Sequence, residues 1–396
     1  MGPVPGAWDN RRMPVDPTND LSRDELQRYS RQIMLHQLGS EGQRRLRSAR
    51  VLVVGAGGLG SPALLYLAAA GVGTIGIVDD DVVDASNLHR QVIHGTSDVG
   101  RPKVASAAET VRDLNPGVEV VEHAGRLTSA NALDVLAGYD LVLDGTDNFP
   151  TRYLVSDAAE MLGLPCVWGA IFQFAGQVAV FHAGHGPTYR DVFPEPPAPG
   201  TVPSCAEGGV IGVLPGLIGT AMANEAVKLI TGMGRSLLGR LVVLDALDFT
   251  WRELTIKPDP RRAPATELID YEEFCGVTRV TPPSADDPAA VDVAELASLL
   301  RARERGEADF DLIDVREPGE HEIVSIDGAR LVPLGRFIAG DVQLDPSRDV
   351  VLHCKSDVRS RQARELLVAA GHPSVRYVAG GVLAWVREIE PHKPLY

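Results

Sequence analysis

Two groups of residues are suited to chemistry, one at phosphorus and one at sulfur. The first begins with Gly55-Ala56-Gly57-Gly58-Leu59-Gly60, which follows an apolar strand pattern and precedes a helical one. A tight turn of this kind aims backbone N–H groups and a helix N-terminus at phosphate oxygens. Asp79 ends the next strand pattern, where a carboxylate can bond a ribose hydroxyl. So far this also fits a nicotinamide-dependent oxidoreductase. The surrounding residues argue for another reaction. Asp79-Asp80-Asp81 is followed by Ser86-Asn87-Leu88-His89-Arg90-Gln91, then by Lys103 at the head of a helix and by Asp144-Gly145-Thr146-Asp147-Asn148 after a later strand. Arg90 and Lys103 can neutralise charge that builds up on an α-phosphate, which hydride transfer does not require. Asp147 can hold Mg²⁺ through oxygen.

The second group is His353-Cys354-Lys355-Ser356-Asp357-Val358-Arg359-Ser360, between a strand and a helix. A short loop here can wrap its N–H groups around the sulfur. With Arg359 and the helix N-terminus it forms an anion cradle suited to a thiolate or persulfide. Cys205 lies in Ser204-Cys205-Ala206-Glu207, a capping-box pattern that sets it in a first helical turn, although Gly208 and Gly209 weaken the helix. Cys166 has apolar neighbours and reads as core, and Cys275 stands alone. No CxxC pair occurs, so spacing implies neither a disulfide framework nor a zinc site.

Elements of α/β type must position these residues. Helix is expected over 21–47, opened by Ser22 with Glu25 three residues on. Strands are expected at 51–54, 74–78, 118–122, 141–144 and 178–181, with helices at 62–70 and 103–115. A buried helix is expected over 211–229, bent near Pro215. Alternation of this kind builds a largely parallel sheet. The stretch 188–204 carries five prolines and reads as a long irregular loop. Composition turns to proline, small and acidic residues over 278–292, marking a linker. A second α/β pattern follows, with helices at 293–305, 360–370 and 382–388 and strands at 311–315, 350–353 and 375–377. The domain expectation is a disordered segment 1–19, a nucleotide domain 20–277, a linker 278–291 and a smaller α/β domain 292–396.

A net charge of −15, with no basic patch, excludes nucleic acid and anionic membranes as natural partners. The uncharged run 51–78 is long enough to span a bilayer, but its glycines and Pro62 break it into strand, loop, helix and strand. The first residues hold no apolar signal core, so the expected location is cytoplasmic.

The segments RYSRQIML, VLVVGAGGLGSPALLYLAAAGVG, DDDVVDASNLHRQ, GRPKV, DGTDNFPTRY and PSCAEGGVIGVLPG resemble the MoeB/ThiF family, relatives of ubiquitin-activating enzymes. Asp314-Val315-Arg316-Glu317, Gly328-Ala329 with Pro333, the Cys354 loop, and Gly380-Gly381 with Ala384-Trp385 resemble a rhodanese domain. The order of the two is that of the MoeZ-type fused branch. A Rossmann-like adenylylation domain followed by a rhodanese domain is the fold this implies. The activity it implies is adenylation by ATP of the C-terminal glycine of a ubiquitin-fold sulfur carrier of the MoaD, ThiS or CysO type. Sulfur then passes from a persulfide to make the thiocarboxylate.

The resemblance carries ATP or Mg²⁺ contacts to Gly55, Gly57, Gly58, Gly60, Asp79, Asp81, Ser86, Asn87, Leu88, His89, Arg90, Gln91, Lys103, Asp147 and Asn148. Arg31 resembles an arginine finger that reaches the other subunit's phosphates, which implies a homodimer. Cys354 would carry the persulfide, with Arg359 beside it, and Cys205 would release the thiocarboxylate. Thiosulfate or a cysteine desulfurase would supply the sulfur. Many family members bind zinc through two CxxC pairs. Here Thr188-Tyr189-Arg190-Asp191 and a lone Cys275 occupy those places, so no zinc is expected. Ser325 and Leu331 stand where rhodaneses often have His and Asn. Molybdenum-cofactor, cysteine, thiamin, tRNA-thiolation and secondary-metabolite pathways all use such carriers. The alternatives are an oxidoreductase fused to a sulfur-transfer module and a non-catalytic docking scaffold.

Overall fold

Two separate sheets organise the chain in the computed structural model, which describes residues 15–17, 20–197, 208–276 and 287–396. The chain divides into the units Met1–Val277 and Thr278–Tyr396. The expectations for residues 1–14 and 18–19, for 198–207 including Cys205, and for most of the linker lie outside the described residues.

In the first unit, β1 (Arg50–Val54), β2 (Thr74–Asp79), β3 (Glu119–Ala124), β4 (Leu141–Asp144) and β5 (Cys166–Phe172) form the parallel part of an eight-stranded sheet. β6 (Ala175–Phe181), β7 (Arg240–Asp245) and β8 (Thr250–Thr255) extend it antiparallel, and the order is β3-β2-β1-β4-β5-β6-β7-β8. β1 is therefore flanked by β2 on one side and β4 on the other. Loops leaving the carboxyl ends of these strands diverge there and open a crevice. Helices Gly60–Ala70 and Leu214–Thr231 are apolar because they are buried against this sheet and each other.

In the first unit, three expectations need correction. The stretch 21–47 is not one helix but three, Arg23–Arg28, Ser30–Ile33 and Gly39–Ser48. The Ser22–Glu25 capping box forms, but Tyr29 then turns inward, 5% exposed, to receive a 2.8 Å hydrogen bond from Asn115. Pro215 does not bend its helix. It sits in the first turn, where the missing N–H costs nothing. Within 188–204, Thr188 caps a short helix, Tyr189–Val192. The antiparallel strands β7 and β8 and helix Phe149–Leu162 have no counterpart in the periodicity reading.

The second unit is a five-stranded, all-parallel sheet. Its strands are β9 (Ala290–Val291), β10 (Phe310–Asp314), β11 (Arg330–Leu331), β12 (Asp349–His353) and β13 (Val375–Val378), in the order β11-β10-β12-β13-β9. Ala290–Val291 falls in the expected linker. Its apolar pair adds to the sheet edge instead, and Tyr377 donates a 2.7 Å hydrogen bond to Asp287 just before it. Among the described residues, no helix is long and apolar enough to cross a membrane.

Candidate active sites

The crevice of the first unit holds a cavity of about 270 Å³. The glycine loop forms its floor. A Cβ on Gly60 would lie 1.8 Å from the Gly55 carbonyl oxygen, so only glycine lets the loop fold back on its helix. Asp79 closes the loop, with Oδ2 accepting from Ala56 N at 2.8 Å and Oδ1 from Asp81 N at 2.9 Å. Burial raises the Asp79 pKa above its ordinary value, against the lowering influence of Lys103 and these amides. Lys103, 5% exposed, points its ammonium at Asp81 Oδ2, 2.8 Å away. Asn87 Oδ1 accepts from Arg90 at 2.6 Å and holds the guanidinium at the cavity wall. Across the crevice, fully buried Asp144 accepts from Thr146 N and Oγ1 at 3.1 and 2.7 Å and so shapes the turn that presents exposed Asp147 and Asn148. Burial pushes the Asp144 carboxyl up.

Gly55, Gly57, Gly58, Asp79, Asp81, Arg90, Gln91, Lys103, Asp147 and Asn148 all line this one cavity. Gly60, Ser86, Asn87, Leu88 and His89 are not among its lining residues, although some of them touch residues that are. Ser86, for example, accepts from Arg90 through its carbonyl at 3.3 Å. Arg31 is exposed on Ser30–Ile33 and is not among the lining residues. The sequence reading missed Arg126 and Arg152, two further cations of the wall. Arg152 donates to the Thr146 carbonyl at 3.1 and 3.3 Å and lies against the Trp168 ring. Its signal was DGTDNFPTRY, where it falls one turn past the Asn148 cap. Arg126 follows β3 with no motif around it.

The donor set suits a nucleoside triphosphate. Gln91 Oε1 is buried without a hydrogen-bond partner among the described residues, beside the glycine loop. Arg90, Lys103, Arg126 and Arg152 supply positive charge, while Asp79, Asp80 and Asp81 lie close enough together to share a cation.

Where zinc-binding pairs would stand, side chains of another kind pack together. Arg190 pairs with Asp157 through two 2.8 Å bonds, and Tyr271 donates to the same carboxylate at 2.7 Å. Arg262 bridges Asp191 and Glu160. Cys275 is buried among apolar and aromatic side chains, and burial pushes its thiol up to about 11. Cys166 is core, as expected, and burial raises its thiol well above the ordinary value.

In the second unit, β12 ends at His353, buried Cys354 follows it directly, and helix Val358–Ala369 leaves the loop. Ser360 Oγ lies 3.6 Å from Cys354 Sγ. The Cys354 and Lys355 carbonyls accept from Val382 N and Leu383 N at 2.9 and 3.1 Å. A trans peptide sets its N–H opposite its C=O, so the amides of Lys355 and Ser356 face away from helix Gly381–Glu388. Gly380-Gly381 makes this contact possible, since a Cβ on Gly381 would stand 2.5 Å from the Cys354 carbonyl oxygen. Both terminal nitrogens of Arg359 bond Glu320, at 2.7 Å each, so its guanidinium is committed to a carboxylate. Arg316 is fully buried against Asp314, which gives Asp-Val-Arg-Glu a structural role. Burial alone would raise the Asp314 pKa. Hydrogen bonds from Arg316, with His353 and His321 beside it, bring it down to about 2.

Residues 29–265 match the ThiF family and residues 295–388 the rhodanese-like domain. The chain is 50% identical over 388 residues to the probable adenylyltransferase/sulfurtransferase MoeZ of Mycobacterium tuberculosis, covering 96% of this chain and 98% of that one. It is 55% identical over 267 residues to a sulfur carrier protein adenylyltransferase of Thermus thermophilus, covering 65% and 98%. The crystal structure of E. coli MccB shares the fold, with a TM-score of 0.54 and 19% identity over 61% of this chain and 73% of that one.

Proposed function

The chain belongs to the ThiF family and carries a rhodanese-like domain behind it, and from that premise we propose that it adenylates the C-terminal glycine of a ubiquitin-fold sulfur carrier and then places sulfur on it. One observation carries the reading: Arg90 and Lys103 line the same cavity as the glycine loop, Asp79 and Asp147. ATP is the substrate there. Asp79 suits the ribose, the glycine loop the phosphates, and Asp147 would hold Mg²⁺. The carrier's carboxylate attacks the α-phosphorus and pyrophosphate leaves, while Arg90 and Lys103 offset the charge that develops. The product is an acyl-adenylate whose leaving group is AMP.

The Cys354 persulfide anion then attacks the acyl carbon and expels AMP, giving an acyl-disulfide. Cys205 thiolate attacks the Cys354 sulfur of that disulfide. The carrier leaves as its thiocarboxylate, and a Cys205–Cys354 disulfide remains for a thiol reductant to open. Arg359 supports the anion's surroundings through the first turn of its helix. Thiosulfate or a cysteine desulfurase loads Cys354. Exposed Arg31 would serve a partner subunit in a homodimer, and the two chemistries fall to two units, the first over 20–277 and the second taking in β9 at Ala290–Val291 and running on through 292–396. Cytoplasmic work on a molybdenum-cofactor carrier is one instance of this chemistry.

ATP–pyrophosphate exchange tests the first half. Exchange should depend on a Gly-Gly-ending carrier, vanish with Asp147→Ala and survive Cys354→Ala. Failure with every carrier from the same genome would overturn the reading.

A further inference from the structure

The residues after helix Gly381–Glu388 are laid along the second unit by specific bonds. Glu390 accepts from Trp385 Nε1 at 2.5 Å and pairs with Lys393 at 2.9 Å, and Lys393 donates to the Ser325 carbonyl at 3.0 Å. This path delivers Tyr396 to the neighbourhood of the Cys354 loop. Its hydroxyl accepts from Arg316 Nη1 at 2.6 Å and donates to Glu320 Oε1 at 2.9 Å. Arg316 is buried and held by Asp314 and by the Val324 carbonyl, so it is a fixed anchor. Glu320 is the carboxylate that takes both terminal nitrogens of Arg359. The Tyr396 ring lies beneath the Lys355 ammonium, 4.6 Å from Nζ to the ring centre, a cation–π distance. Burial pushes the Tyr396 phenol up, so its proton is present to be donated at neutral pH.

Lys355 follows Cys354 directly, and Arg359 sits in the first turn of the helix that closes the loop. One tyrosine therefore touches the start of the loop through its ring and reaches the loop's end through its hydroxyl. We propose that Tyr396 is a positioning residue for sulfur transfer: it fixes the Cys354 loop from both sides, by the Lys355–ring contact and by the Tyr396–Glu320–Arg359 chain. This rests on the reading of Cys354 as the persulfide carrier.

The test uses the full chain with Tyr396→Phe and Tyr396→Ala. The reaction moves the outer sulfur of thiosulfate to the Cys354 thiolate with release of sulfite. Cyanide then takes that sulfur as thiocyanate and restores the thiolate. Tyr396→Ala should lower kcat by about 10- to 100-fold, with a smaller change in the KM for thiosulfate, because the loop's geometry is lost rather than its access. Tyr396→Phe, which keeps the ring under Lys355, should fall between it and the wild type. Backbone hydrogen exchange over 354–360 should speed up in Tyr396→Ala, with carrier-dependent ATP–pyrophosphate exchange unchanged. If the wild-type chain makes no Cys354-dependent thiocyanate, the persulfide reading fails, and hydrogen exchange alone then decides the positioning role. Wild-type kcat together with wild-type exchange over 354–360 in Tyr396→Ala would overturn the proposal. So would equal losses in both variants that merely follow a lowered unfolding midpoint.

Discussion

Replacing Gly381 by alanine should disable sulfur transfer while leaving adenylation intact. Gly381 has φ +57, and an added Cβ would meet the Cys354 and Lys355 carbonyl oxygens at 2.5 and 2.6 Å. The left-handed backbone alone costs an L-residue about 1–2 kcal/mol. The contact must also open by about 1 Å to reach ordinary van der Waals distance. Those carbonyls accept from Val382 N and Leu383 N, so the helix start and the sulfur loop cannot both keep their places. A displacement near 1 Å in a loop that orients a nucleophile costs on the order of 10²-fold in rate. The assay is thiocyanate formation from thiosulfate and cyanide, run beside ATP–pyrophosphate exchange. The control is Gly371→Ala, at φ +93 with no atom of the described residues within 4 Å of its Cβ. That variant bears the backbone cost alone and should keep near-wild-type transfer. Gly381→Ala with full transfer activity, or Gly371→Ala with an equal loss, would refute the reasoning.

Lys103→Ala should lower carrier-dependent exchange by about 10²- to 10³-fold, since it removes a buried cation from the wall. Initial-rate exchange assays read this directly. Chelation by EDTA should abolish exchange yet leave the unfolding midpoint where it was. Arg190→Ala, by contrast, should cost stability by about 3 kcal/mol, because it strands Asp157, whose side chain is 4% exposed. Denaturant unfolding measures the difference. Acid should destabilise the second unit in two stages. His353, fully buried, is pushed down to about 4 by that burial despite the attraction of Asp314. The unfolded chain binds this proton first, so stability falls as pH drops from about 6.5 towards 4. Asp314, held at about 2, adds stability above its unfolded value near 3.8 that is lost as pH falls towards 2. His353→Gln should flatten the upper stage of the unfolding-midpoint curve and shrink the lower one without removing it, because His353 helps hold the Asp314 carboxyl down while Arg316 and His321 remain.

The glycine loop, Asp79 and Lys103 could be read from the chain because each lies at the junction of a strand and a helix within one βαβ succession. There, local spacing sets which group ends up at a carboxyl end. Cys354 was readable for the same reason. Helix 21–47 was misread because its pattern is continuous, whereas Tyr29 breaks it for a bond to Asn115, a residue remote in sequence. The edge strand Ala290–Val291 was lost in a proline-rich surrounding, since two residues carry no period.

Arg126 and Arg152 join the cavity because the sheet order sets the loops after β3 and β4 around β1 and β2. Arg359 looked like a ligand of the sulfur anion until Glu320, 39 residues away, claimed its guanidinium. Tyr396 meets Arg316 across 80 residues. Motif spacing specifies dihedral geometry over a turn or two of chain. Charge pairing and packing between distant segments follow from how the sheets and helices close on one another, and there the partner of each buried charge is chosen.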